Sequence, residues 1–388
     1  MVRWPGGVSG PVTMAVLAAL VLSAAAVRAE GDLATAMAEY HRKLAAYHAV
    51  HDVYEGKAKV YWSDISDKRR RRFAKRRDHD EIALDDYVLT QPPLYTGPPK
   101  PIDPSAPARP PRVIPVVADF LREAREQFNF VPQRPASERD YTRAYVKVAA
   151  AAGLTRDQVV RVYSFEASGD GCYDVQAGLE RPRPNARAIS TALGYNQLLH
   201  TNTVELLAEQ GDTILRALRE RAAAMTGDAR DALERKIAAL QQMIRFARSV
   251  PDDWSAHERI ANTPRGWGVH ALNLDIDIGP YLQTHKLLTS VIYARRKGYA
   301  RALTAAELEM MNLTGDGNGF DMVSMPADMR EKVPTANFFQ QSGYERNPVA
   351  IRNNVVAKLL AATDARMDEE IKRPGARELA AAYDAVTR

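Results

Sequence analysis

The chain has 388 residues, 46% of them hydrophobic and 26% charged, with a formal net charge of +5. That balance excludes a disordered or collagen-like polypeptide and leaves room for one large domain or two modest ones. The single cysteine, Cys172, excludes an internal disulfide, so the fold must rest on its core.

Residues 1–29 carry the three parts of an export signal: Arg3, an apolar run over 12–26, and small residues before a cut after Ala29. The apolar run is shorter than the ~20 residues of a spanning helix, which favours a cleaved signal over an anchor. The expected location is the periplasm or cell envelope.

A helical extension with a basic cluster is expected over 30–90. Leu33, Met37, Tyr40, Leu44, Tyr47 and Tyr54 form one apolar stripe about three heptads long. "KRRRRFAKRR" (68–77) follows, and then Asp78, Asp80, Glu81, Asp85 and Asp86. A solvated, self-compensating helix face is the plain reading of this cluster. Attraction to an anionic envelope surface, or to other envelope proteins, is the functional one. Nucleic acid is not an expected partner, because aromatic interleaving is limited to Phe73.

Ten prolines in residues 91–115 rule out helix or central strand. This stretch reads as a linker, either a tether or a surface strap. From 116 to 388 the pattern is mainly helical, with helices expected over 117–128 and 137–153. "RVYS" (161–164) and "LNLDIDIG" (272–279) are the only short strand candidates. Residues 214–249, broken at Thr226-Gly227-Asp228, read as an inserted helical hairpin that roofs a cleft or docks a partner. Cys172 has no histidine near it in sequence and reads as a buried or half-buried thiol.

"LTRDQVV" (154–160) contains a capping box, with Thr155 and Gln158 bonding reciprocally, so a helix starts there in a defined register. In that register Val159, Val162 and Tyr163 share a face with Glu166. A carboxyl held on an apolar face has a raised pKa, as a general acid requires. From the helix alone, a Glu at the stripe edge paired with an arginine is an equal alternative. Ser168, Gly169 and Gly171 end the helix, leaving backbone free to approach the carboxyl and anything bound beside it.

Four segments in order then resemble the lytic transglycosylases with a goose-type lysozyme-like domain. They are Glu166 with Ser168-Gly169; Gly194-Tyr195-Asn196-Gln197; "LNLDIDIGPYLQTH" (272–285) with Gly279, Tyr281 and Leu282; and "MNLTGDG" (311–317) with Asn312. The resemblance spans roughly 155–347. It implies a lysozyme-like domain over 116–388 and peptidoglycan glycan strands as substrate. It also implies a lyase reaction in which Glu166, as acid and then base, cleaves the MurNAc-GlcNAc bond and leaves anhydro-muramyl ends. Ser168, Asn196, Gln197 and Asn312 are the implied orienting groups. Tyr195 and Tyr281 would stack on sugar faces or simply pack in the core. Met311 stands where the family has a Tyr that bonds the catalytic carboxyl, and Tyr344 is the candidate to take that role.

No cofactor and no metal are expected. "DGNGFD" (316–321) fails as a calcium loop at Phe320 and reads as a glycine-rich loop. The competing functions are a non-catalytic glycan-binding or scaffolding envelope protein and a muramidase-type hydrolase.

Overall fold

A computed structural model describes residues 12–107, 114–176 and 188–388, with side chains from residue 33 onward. Arg3 of the expected signal and positions 108–113 of the proline-rich stretch lie outside the described residues. The chain divides into two compact units, one of Met1–Ile82 with Thr90–Pro111 and one of Ala83–Leu89 with Arg112–Arg388. Among the described residues, no helix is long and apolar enough to cross a membrane.

The first unit is built on one helix, α1 (Val12–Asp78), which runs far past the three expected heptads. The reason is continued spacing: Ala58, Trp62, Ile65, Arg69 and Arg72 recur at four and three residues, and all are buried. The basic cluster is therefore not a uniformly solvated face. Arg72 is 0% exposed, while Arg70 and Arg77 are exposed and pair with Asp67 and Asp78. The start of the proline-rich segment packs on this helix. The Tyr95 ring meets those of His51 and Tyr54 at centroid distances of 5.4 Å each, and Tyr61 Oη donates to the Thr90 carbonyl at 2.9 Å.

The second unit is mainly helical. It contains α2 (Val117–Phe128), α3 (Glu138–Ala151), α4 (Arg156–Ala167), α5 (His200–Ala223), α6 (Gly227–Ala247), α7 (Trp254–Ala261), α8 (Pro264–His270) and α9 (Gly279–Arg296). It continues with α10 (Ala305–Thr314), α11 (Asp316–Val323), the short α12 (Ala327–Arg330), α13 (Gln341–Glu345) and α14 (Pro348–Arg352), then α15 (Val356–Glu370) and α16 (Pro374–Thr387). Among the described residues the only β pairing is two isolated bridges, Leu193–Leu198 and Pro334–Val355.

Both strand candidates fail. "RVYS" lies inside α4. "LNLDIDIG" becomes a 3-10 turn (Ala271–Leu274), because the Asp275 carboxylate accepts from the backbone of Asp277 (2.9 Å) and Ile278 (3.2 Å) and folds the chain into α9. The expected glycine-rich loop 316–321 is helix α11. Gly319 permits this, since a Cβ there would collide with the Met311 backbone of α10. The expected break at Thr226-Gly227-Asp228 is present, with Thr226 at the start of α6. The first half of 214–249 continues α5, which starts at His200, and α6 packs back on α5, with Ile244 against Gly211.

The glycines after Glu166 have a different use from the one expected. The Gly169 carbonyl accepts from Ala376 N at 3.0 Å, and a Cβ on Gly171 would sit 3.0 Å from Gly375 Cα. They make room for the N-terminus of α16. Cys172, on the following turn, is exposed rather than buried.

Candidate active site

Helix α4 sets the position of Glu166. Thr155 Oγ1 accepts from Gln158 N at 3.2 Å, and the Gln158 side chain accepts from Thr155 N at 2.9 Å, which fixes the first turn. The helix ends at Ser168, whose φ of 70° is left-handed. Glu166, in the last turn, is half-buried and lines a cavity of about 340 Å³ together with Asn196, Gln197, Lys286, Glu309 and Asn312. Burial pushes its carboxyl up to about 7. Lys286 opposes that rise most, then a hydrogen bond with Glu309, then Arg366. The alternative of an arginine-locked Glu is not what the geometry gives, since Arg366 sits instead over the Phe165 ring, 4.7 Å from its centroid.

Glu309 brings a second carboxyl to the cavity. It lies on α10, is 3% exposed, and its Oε2 has no hydrogen-bond partner. Burial and then the neighbouring Glu166 carboxyl raise its pKa well above the carboxylate range, with Lys286 and the Asn312 side chain pulling the other way. The Asn312 amide is near enough for that pull, yet its Nδ2 makes no well-aligned hydrogen bond.

The turn Leu193–Leu198 supplies the facing wall. Leu193 and Leu198 exchange two backbone hydrogen bonds, each 2.9 Å, and the turn needs φ of 82° at Gly194 and 45° at Gln197. The Gln283 side chain of α9 pins it, accepting from Asn196 N at 2.7 Å and donating to the Leu193 carbonyl at 3.1 Å. Asn196 Nδ2 donates to Tyr145 Oη (3.0 Å) and to the Gln283 carbonyl (2.8 Å). Its Oδ1 is buried without a partner.

The cavity continues into a second one of about 480 Å³, which shares Leu199, Asn202, Lys286, Asn312 and Leu313 with the first. Trp254, 44% exposed, stands on this limb with Glu205, Glu209 and Asp316. Burial raises the pKa of all three acids. The result is a two-limbed groove with a half-shielded carboxyl in one limb and an exposed indole in the other. No α6 residue lines either limb, so the hairpin does not roof the groove.

Of the residues expected from sequence, Glu166, Asn196, Gln197 and Asn312 come together in this groove. Four do not line it. Ser168 caps α4 outside it. Tyr195 is 0% exposed within a cluster of Tyr141, Tyr145 and Tyr163, and its hydroxyl pairs with Thr142 Oγ1 at 2.8 Å, so it packs in the core and offers no face to a sugar. Tyr281 lines a separate cavity of about 1000 Å³ between α3, α5 and α9. Tyr344 is buried against Phe339 and does not reach Glu166. The larger cavity has one carboxylate, Asp277, already paired with Arg221 and Lys236.

Glu309, Lys286 and Gln283 were not anticipated. A signal for Glu309 was present: a lone charge in "LEMM" (308–311), three residues before Asn312 and therefore on its helix face. No known protein family, curated protein or solved structure matches the chain. The fold and groove define a mainly helical protein with a protonatable carboxyl at the floor of a polar, two-limbed trench.

Proposed function

We propose that the chain is an exported peptidoglycan lytic transglycosylase with Glu166 as its general acid and base. The observation that carries this reading is a half-buried carboxyl, with its pKa pushed up to about 7, facing an open groove. A group that holds a proton near neutral pH can protonate the oxygen of the bond between N-acetylmuramic acid and N-acetylglucosamine. The resulting carboxylate then takes the proton of the muramyl C6 hydroxyl as that oxygen closes the anhydro ring. Asn196 and Asn312 line the groove beside Glu166 and supply amide groups for sugar hydroxyl or acetamido groups. Trp254 offers an apolar face for a pyranose ring in the other limb.

The hydrolase alternative needs two carboxyls flanking the bond, about 5–5.5 Å apart for a retaining site or about 6.5–9.5 Å for an inverting one. Glu309 is an immediate neighbour of Glu166, and among the described residues the cavity they line has no other carboxyl to stand across the bond. One carboxyl acting twice suits this site better. The test is digestion of purified cell wall by the native chain and by Glu166→Gln. Activity lost only in the variant supports the enzyme, whereas wall binding without cleavage by either supports a glycan-binding protein.

A further inference from the structure

We propose that Glu309 is a neutral carboxylic acid that donates a hydrogen bond to Glu166, positioning it and stabilising the carboxylate that Glu166 becomes when it gives up its proton. This rests on reading Glu166 as the acid and base. It assigns Glu309 a positioning role.

Glu309 is 3% exposed on α10, whereas Glu166, on α4, is half-buried and opens on the cavity. Two carboxyls in contact cannot both ionise cheaply, and the deeper one keeps the proton. The charged groups around them leave the same answer. Lys286 of α9 faces both carboxyls, but it is shared with Glu205 and with Asp316 of α11, which accepts from Ser290 Oγ at 2.5 Å. Arg366 of α15 acts on Glu166. Among the described residues no ion pair to Glu309 is formed, and no N–H donor reaches its Oε2, a costly state for a buried anion and a tolerable one for a neutral acid.

Geometry brings the two together: α10 packs on α4, and both side chains line the same cavity. An O–H on the more deeply buried Glu309, donating to a Glu166 carboxylate, satisfies both groups. Met311, two residues on, is fully buried and has no donor to offer. Through the reaction Glu309 keeps its proton. Glu166 passes one proton to the leaving oxygen, receives one from the C6 hydroxyl, and ends as it began.

Glu309→Gln and Glu309→Leu separate the roles. Gln retains an N–H donor and cannot ionise; Leu is apolar, of similar size, and suits the buried position. Two readouts are needed: cleavage of purified cell wall, and the titration of Glu166 followed by NMR of ¹³Cδ-labelled glutamate in the full chain. The expected result is that Glu309→Gln keeps activity within about tenfold of native, while Glu309→Leu loses about 100-fold and raises the Glu166 midpoint by about one unit or more. Glu309→Gln as inactive as Glu309→Leu would overturn the proposal, because Glu309 would then act as an ionised carboxylate. An unchanged Glu166 midpoint in Glu309→Leu would overturn it equally. A native chain that cleaves nothing yet shows the shifted midpoint supports the hydrogen bond and overturns the transglycosylase reading instead.

Discussion

The side chain of Gln283 holds the backbone of Asn196. Its Oε1 accepts from Asn196 N at 2.7 Å, and its Nε2 donates to the Leu193 carbonyl (3.1 Å) and to Asn273 Oδ1 (2.9 Å). A helix 87 residues further along the chain thereby sets one wall of the groove. Gly194 leaves space for this amide, and a Cβ there would collide with it at a φ of 82°.

Gly194→Ala should therefore cost about 2 kcal/mol or more of stability, from left-handed strain and the displaced Gln283. Gln283→Ala leaves the buried Asn196 N–H unpaired, at about 1–3 kcal/mol, while the Leu193 carbonyl keeps its bond from Leu198 N. Urea denaturation checks both. Midpoints equal to native would mean that the turn does not depend on this contact.

The half-buried acid predicts the alkaline limb of the pH profile. Activity as a general acid needs protonated Glu166, so the rate of wall cleavage should fall as pH rises through about 7. A rate that climbs steadily from pH 6 to pH 9 would remove the acid role.

Asp174 predicts a pH-dependent stability. It is buried, accepts from Gly171 N at 2.8 Å and from Tyr163 Oη, and burial pushes its carboxyl up to about 8 from 3.8. The folded chain thus holds a proton that the unfolded chain releases. The contribution is fully present below the unfolded pKa of 3.8 and is lost as pH rises through about 8. Glu166 acts in the same sense between 4.5 and about 7. The denaturation midpoint should fall from pH 5 to pH 8, and fall less in Asp174→Asn. An identical slope in the two proteins would show that Asp174 does not carry it.

Trp254 predicts a binding effect separable from chemistry. Trp254→Ala should raise KM for glycan several-fold and leave kcat within about twofold, because the indole stands in the other limb of the groove from Glu166. A loss confined to kcat would place the indole at the reacting bond.

The parts of this site that could be read from the chain are local. The Thr155–Gln158 box fixed the register of α4, and that register put Glu166 beside the apolar stripe. Gly194 and Asn196 were legible as members of one motif, though not as a turn. What could not be read is what meets them across the fold. Glu309 reaches Glu166 only because α10 packs on α4, and no spacing within either helix states that. Tyr195 stayed open between sugar platform and core residue because an aromatic in a motif carries no label for inside or outside; three other tyrosines enclose it. Gly169 and Gly171 correctly marked a close approach, but α16, and not a ligand, makes it. The 316–321 segment looked like a loop because glycine and aspartate disfavour helix, and packing on Met311 outweighed that preference.

The most direct test is mass spectrometry of the muropeptides released from purified cell wall by the native chain and by Glu166→Gln. The native chain should release products that lack one water and carry anhydro-muramyl ends, and Glu166→Gln should lower their yield about 10²–10⁴-fold. Reducing-end products from the native chain, or equal yields from both proteins, would contradict the transglycosylase reading.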